Sequence, residues 1–321
     1  MPERIVFVTP FSDSAEMADA MAPPGFDFFN VAAASPEYHA ALAGADYLVG
    51  FVSGLVQTEL FEAAPNLKLV QVLSAGYDNA DIDAARAAGV PVANNGGANS
   101  VAVSEHAVML MLACARNLPW QYASVTGGRW TGNDTPRVFE LRGKTLGIVG
   151  LGSIGKKVAR LAQAFGMTVN YYDIARLSED QEDALGVRFR LLDEMLEGAD
   201  IVTLHVPLNA STHHLINADR LARMQASAIL INTSRGPVVD EAALTDALTS
   251  GRLFAAGLDV FEEEPTAPDN PLFTLGNVVL TPHLAGPTYE SHTARVRNGF
   301  DNVQRVARGE APLWVIPELL E

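Results

Sequence analysis

Residues 145–155 read Thr-Leu-Gly-Ile-Val-Gly-Leu-Gly-Ser-Ile-Gly, an apolar strand running into Gly150-x-Gly152-x-x-Gly155, with Ser153 and Ile154 between the last two glycines. The first glycine permits a tight turn, and the second lets backbone approach a pyrophosphate. The third lets the following helix pack on the strand with its positive N-terminus toward the phosphates. Asp173 stands 18 residues beyond Gly155, near the spacing at which an acid meets an adenine ribose 2′-hydroxyl. A carboxylate there repels a 2′-phosphate and favours NAD over NADP, while Arg176, three residues on, works against that preference. His205-Val206-Pro207-Leu208, Asn232-Thr233-Ser234-Arg235-Gly236 and Thr281-Pro282-His283 close later strands. Ligands of open α/β sheets bind outside such carboxyl ends, so these segments are expected to line one crevice. His205 either borders the adenine pocket or packs as a structural residue.

The fingerprint begins near residue 150, so something else fills the first 140 residues. Apolar runs at Ile5–Thr9, Phe26–Val31, Tyr47–Phe51, Leu67–Leu73 and Val90–Ala93 predict strands, separated by Ala-rich helical stretches such as Ala80–Ala88. Alternating strand and helix implies a parallel sheet covered on both faces. A long helix is expected from the Asn99-Ser100 cap to about Arg116, with Val101, Val108, Leu112 and Ala115 on its apolar face and Pro119 helping to end it. Residues 118–144 read as a long irregular loop, whose Trp130 could reach a neighbouring subunit. The strand rhythm then resumes at 146–149, 168–172, 201–206, 228–233, 255–260 and 277–281, before a last helix at roughly 288–308. The simplest topology returns this helix to the first domain, giving two crossings and a hinged cleft as the expected ligand site.

The chain has 321 residues, 48% hydrophobic and 19% charged, the balance of well-packed globular domains. A net charge of −16 argues against nucleic acid, which needs clustered Lys and Arg. No apolar run is long enough to span a bilayer, and no basic stretch precedes an apolar one at the start, so neither a membrane nor export is expected. The single cysteine, Cys114, cannot form an internal disulfide, which suits a packing role and a reducing, cytoplasmic setting. His213-His214 and His292 form no metal-ligand spacing, and no metal site is expected. His106, beside Glu105, reads as structural.

Over nearly its whole length the chain resembles the D-isomer-specific 2-hydroxyacid dehydrogenase family. The carrying residues are Gly150–Gly155, Asp173, His205–Leu208, Ile231–Gly236, Leu258–Pro265 (Leu-Asp-Val-Phe-Glu-Glu-Glu-Pro) and Thr281–Gly286 (Thr-Pro-His-Leu-Ala-Gly), with Ser74–Asp78 and Ser104–His106 upstream. The resemblance implies an α/β fold of two doubly wound parallel-sheet domains. A Rossmann-type NAD domain, 99–287, would be inserted into a flavodoxin-like substrate domain, 1–98 and 288–321. The family's arginine falls on Arg235, its glutamate before proline on Glu264 and its histidine on His283. Among Glu262, Glu263 and Glu264, only the resemblance selects Glu264.

These assignments imply interconversion of a small 2-keto acid, such as glyoxylate or hydroxypyruvate, and its D-2-hydroxy acid. Arg235 would clamp the carboxylate with its planar fork, aided by the amides of Ala75 and Gly76. His283 would give or take the carbonyl proton. Glu264 paired to it would favour imidazolium, raise the histidine pKa and fix its tautomer. Asp259 resembles the family's contact to the nicotinamide carboxamide, and Gly286 closes the last cofactor segment. Phe51–Gly54 and Tyr77 are expected on the far side of the substrate, and a homodimer is expected.

Within the fold, formate dehydrogenases carry glutamine where Glu264 stands, and phosphite dehydrogenases carry lysine where Ala75 stands. A long phosphoglycerate dehydrogenase with a regulatory domain does not fit the length, though a short form does. The alternative from another class is an NAD(H)-sensing binding protein similar to the C-terminal-binding corepressors, which keep the same trio.

Overall fold

The structure, a computed structural model, describes residues 2–320. The chain divides into two compact units: residues up to Asn99 together with those from Pro287 onward, and Ser100–Gly286 between them.

The first unit holds five parallel strands, β1 (Arg4–Val8), β2 (Asp27–Val31), β3 (Tyr47–Gly50), β4 (Leu69–Val72) and β5 (Val92–Ala93), in the order β2-β1-β3-β4-β5. Side chains alternate between faces along β1, which explains the two separate cores. Ile5 and Phe7 pack with Val296, Phe300 and Val303 of the helix Tyr289–Ala307. Val6 and Val8 face the opposite core, with Tyr38, Leu42, Leu60 and Ala85 from three other helices. Chain order reverses between β1 and β3, the switch point of a doubly wound sheet.

The second unit holds seven parallel strands: β6 (Thr145–Val149), β7 (Thr168–Tyr172), β8 (Arg188–Phe189), β9 (Ile201–Leu204), β10 (Ile229–Asn232), β11 (Ala255–Leu258) and β12 (Val278–Leu280). Their order is β12-β11-β10-β9-β6-β7-β8, with the switch point between β6 and β9. The helices Ser100–Ala115 and Ser153–Ala164 cover one face, and helices between residues 192 and 249 cover the other. Two parallel-sheet α/β domains, one inserted in the other along the chain, are therefore the observed fold class. Among the described residues no single helix is long and apolar enough to cross a membrane.

Three expectations need correction. Residues 118–144 are not irregular throughout, because Leu118–Thr126 form a helix bent by 64° from its predecessor. Pro119 sits in its first turn, where a missing N–H costs nothing, so it starts a helix as much as it ends one. Val101 is 55% exposed, whereas Ala107, Leu110, Met111 and Cys114 face the sheet. That helix is apolar nearly all round, so its sequence carries little phase information. The edge strand β8 was not anticipated; two residues, one of them arginine, leave no apolar run to detect.

Candidate active site

Gly150, Leu151 and Gly152 cross from β6 into the helix Ser153–Ala164. A Cβ on Gly150 would sit 2.6 Å from the His205 carbonyl oxygen, and one on Gly155 would sit 2.3 Å from the Gly150 carbonyl oxygen. A Cβ on Gly152 would meet nothing within 4 Å, so that glycine fronts open space. The helix has no acidic residue in its first turn and no side-chain cap, leaving first-turn amides and the positive dipole end for an anion. Asp173, just past β7, accepts from the Leu151 amide at 2.7 Å and the Ala175 amide at 3.0 Å, which ties it to the fingerprint turn. Arg176 is committed elsewhere: its Nε lies 3.1 Å from Glu182 Oε1 and its guanidinium stacks over Phe189. Burial opposes the Glu182 charge, but hydrogen bonds from Arg176 and Tyr171 hold its pKa below the ordinary value and keep the arginine engaged.

At the ends of β9 and β10 the structure leaves two buried polar atoms without a protein partner, His205 Nδ1 and Thr233 Oγ1. Burial pushes the His205 pKa down to about 3, so the ring is neutral, with Nε2 3.0 Å from Thr203 Oγ1. Ser234 is tied down: Asn232 Oδ1 accepts from its amide at 3.0 Å and its hydroxyl at 2.8 Å. Val206 and Pro207 continue the chain past β9, where the ladder stops. The open turn, the uncapped helix start and the orphaned atoms all fit a dinucleotide, so these residues are suited to hold NAD.

The Asn232 side chain also reaches forward, donating to the Arg235 carbonyl at 2.9 Å, which shapes the turn carrying Arg235. Gly236 makes that turn possible: a Cβ there would lie 1.7 Å from the Phe261 carbonyl oxygen. The two loops touch backbone to backbone, and Arg235 acts electrostatically on Glu264 as a result. Of the three consecutive glutamates, Glu264 is the one at His283, with Oε2 2.6 Å from Nδ1. Glu262 instead meets His214 Nε2 at 2.7 Å. Glu264 Oε1 accepts from the Phe261 amide at 2.9 Å. Burial opposes the Glu264 charge, yet the His283 hydrogen bond, the Phe261 amide and the charges of His283 and Arg235 hold its pKa below the ordinary carboxylate value. An ionised carboxylate only accepts, so His283 Nδ1 carries the proton and Nε2 is left for a reactant. The imidazole is 48% exposed.

His283 has φ 55°, a left-handed conformation rare outside glycine. Asp259, 1% exposed at the end of β11, over-determines it. Its backbone oxygen accepts from the His283 amide at 2.8 Å. Its carboxylate takes Thr281 Oγ1 at 2.6 Å and the Leu284 and Ala285 amides at 2.9 and 2.8 Å. His106 Nε2 lies 3.0 Å from Thr281 Oγ1. Because the threonine proton goes to Asp259, His106 is the donor, and burial keeps its pKa below the ordinary histidine value despite Asp259. The support that Asp259, Thr281 and His106 give to His283 was not read from the sequence; Thr281 in Thr-Pro-His was its only visible sign. Gly286 follows this loop as the last residue of the unit.

Ala75 and Gly76 lie in the first unit, in the bend after β4. Ser74 Oγ donates to the Gly76 carbonyl at 2.7 Å and Asn94 Nδ2 to the Ala75 carbonyl at 3.2 Å. Neither amide has a protein acceptor among the described residues, so both remain available. Tyr77 is committed inside its unit, donating to Glu318 Oε2 at 3.1 Å. Among the described residues no group of three or more His, Cys, Asp or Glu is arranged to hold a metal ion.

Comparisons with known proteins identify the family and the fold. A family model described as "D-isomer specific 2-hydroxyacid dehydrogenase, NAD binding domain" matches residues 108–285. A glyoxylate reductase of Korarchaeum cryptofilum is 43% identical over 83% of this chain and 81% of its own. A hydroxypyruvate reductase of Thermotoga maritima is 40% identical over 81% of this chain and 83% of its own. A crystal structure of D-lactate dehydrogenase from Aquifex aeolicus, complexed with NAD and lactic acid, superposes with TM-score 0.82 and 30% identity over 95% of this chain and 96% of that one.

Proposed function

The chain belongs to the D-isomer-specific 2-hydroxyacid dehydrogenase family, and from that premise we propose that it reduces a small 2-keto acid, such as glyoxylate or hydroxypyruvate, to the D-2-hydroxy acid. Bound NADH supplies the hydride. The observation that carries the reading is the 2.6 Å contact between His283 Nδ1 and Glu264 Oε2, with Arg235 close enough to act on the same carboxylate.

In this reading the Arg235 fork holds the substrate carboxylate and polarises the carbonyl. The Ala75 and Gly76 amides take the remaining carboxylate oxygen. Protonated His283 donates from Nε2 to the carbonyl oxygen as it gains charge, and Glu264 stabilises the imidazolium before that transfer and fixes the Nδ1–H tautomer afterwards. In the oxidative direction neutral Nε2 accepts the hydroxyl proton. With NAD bound, Asp173 would take the ribose hydroxyls, Gly152, Ser153, Ile154 and Gly155 would face the pyrophosphate, and Asp259 would offer its remaining acceptor capacity to the carboxamide. A homodimer is part of the proposal, supported by Leu118 (54%), Tyr122 (72%), Val125 (62%) and Trp130 (78%), apolar and exposed on the helix Leu118–Thr126 and the loop after it. The buried Cys114, with no disulfide partner, supports a reducing, cytoplasmic setting.

The test is NADH consumption with a panel of 2-keto acids, for wild type and His283→Asn. Turnover of at least one acid is expected, with kcat lowered about 10²–10⁴-fold in the variant. Tight NADH binding without any turnover would instead support the corepressor-like sensor.

A further inference from the structure

Arg295 is a buried cation that the mechanism above does not use. It lies in the second turn of the helix Tyr289–Ala307 and is 3% exposed. Among the described residues no carboxylate is within ion-pair distance, no acceptor hydrogen-bonds it, and its Nε is sealed without a partner. Its guanidinium lies over the Phe51 ring, 5.3 Å from the centroid. Burial lowers its pKa to about 10. Such a charge is costly to bury unless something pairs with it.

Its surroundings lie at the carboxyl edge of the first unit's sheet. Phe51 follows β3 directly, and Phe11 lies three residues past β1, with the two rings 4.9 Å apart. Between β1 and β3 falls the switch point, the place where doubly wound sheets take ligands. His292, one turn before Arg295, packs 4.9 Å from Phe11 and has Ser14 Oγ 2.6 Å from Nδ1. A serine hydroxyl donating there leaves Nε2–H as a second donor beside the guanidinium. Asp13, exposed in the first turn of the helix Ser12–Met21, is the acidic group that acts on His292.

We propose that Arg295, with His292 and the Phe11–Phe51 wall, forms a subsite for a second anionic group on the substrate, so that the preferred substrate is a 2-keto acid carrying a distal carboxylate or phosphate. This rests on the reading of Ala75 and Gly76 as substrate contacts. Those amides follow β4, the neighbour of β3 on the same edge. Neighbouring strand ends lie about 5 Å apart, so Phe51 after β3 and the two amides after β4 flank one stretch of that edge, which suits an acid of four or five carbons or a phosphorylated three-carbon acid.

The experiment compares kcat/KM for oxaloacetate, 2-oxoglutarate and hydroxypyruvate phosphate against pyruvate and hydroxypyruvate, in wild type, Arg295→Met and Arg295→Lys. Wild type should favour the dianionic acids. Arg295→Met should reduce the dianion-to-monoanion ratio about 10–100-fold, the scale of lost charge-assisted hydrogen bonds. Arg295→Lys, keeping the charge without the fork, should fall between. The dianion class that responds most identifies the distal group. Melting temperature separates the ligand role from a packing role. A cation kept for a ligand leaves Arg295→Met as stable as wild type or more so, whereas a packing arginine lowers it. A ratio unchanged within about threefold would overturn the proposal, as would a destabilised Arg295→Met with Arg295→Lys unchanged in ratio. If wild type turns over no 2-keto acid, the functional reading fails, and calorimetric titration with succinate decides the subsite. Binding to wild type that is lost in Arg295→Met keeps it, and no difference removes it.

Discussion

Gly236→Ala is the most demanding test of how Arg235 is placed. The new methyl would lie 1.7 Å from the Phe261 carbonyl oxygen, 1.9 Å from its carbon and 2.5 Å from the Glu262 nitrogen. All three are backbone atoms, so no side chain can swing aside. A carbon needs roughly 3.3 Å from such an oxygen, so the two loops must part by about 1.6 Å. One carries Arg235; the other carries the Phe261 amide that holds Glu264. Misplacing catalytic groups by about 1 Å costs about 10²-fold, so kcat/KM should fall at least that far. Overpacking of this kind also costs about 1–3 kcal/mol of stability, visible as a lower melting temperature. Gly152→Ala is the contrast, because its methyl meets nothing within 4 Å of protein. It should melt like wild type yet raise the KM for NADH, since only a bound pyrophosphate would feel the methyl. The assay is NADH oxidation with the best 2-keto acid, beside thermal melts. Gly236→Ala retaining kcat/KM within about threefold would refute the claim that this backbone contact sets the arginine.

Asp173→Ala should relax selectivity toward NADPH and, through the lost Leu151 amide contact, also weaken NADH binding; kcat/KM for both cofactors checks this, and an unaltered ratio would count against the ribose contact. Arg176→Ala should change that ratio less, being engaged by Glu182. Glu264→Gln should lower kcat about 10²–10⁴-fold, since an amide nitrogen facing Nδ1 favours the wrong tautomer. Because the folded-state pKa of Glu264 lies below its unfolded value, the carboxylate stabilises fully above the unfolded value, and that stability is lost as pH falls through the folded one. The melting-temperature gap between wild type and Glu264→Gln should therefore shrink on acidification through that window.

Much of the fold was legible because apolar runs with turn residues between them specify parallel sheets covered on both faces. β1, β3, β4, β6, β7, β9, β10 and β11 each begin or end within about two residues of their apolar runs, the usual scatter of such boundaries. What escaped were elements whose signal is not hydrophobic periodicity. The orientation of the helix Ser100–Ala115 is fixed by which small residues can approach the sheet: a Cβ on Gly257 would sit 3.0 Å from Leu110 Cβ. That complementarity belongs to two segments far apart in sequence, and neither displays it alone.

The site divides the same way. Glycine spacing announces a phosphate turn because the constraint is local, and Asp173 follows from the length of one βα unit. Choosing Glu264 over its two neighbours was beyond the sequence alone, because the choice is made by a histidine 19 residues on. Asp259 shows the limit most clearly. A strand-end aspartate looks identical whether it waits for a ligand or holds a loop, and here its carboxylate already receives three protein donors. Holding His283 at φ 55° against its intrinsic preference requires this many contacts. A buried acid engaged by the loop that carries the acid–base residue therefore acts on the chemistry by aiming the imidazole, whatever it also offers the carboxamide. Arg295 is the converse case: a basic residue on a polar helix reads as solvated, yet it is enclosed without an acceptor. It is their surroundings, three protein donors for the aspartate and, among the described residues, none of the acceptors the arginine needs, that assign one to positioning and the other to a ligand.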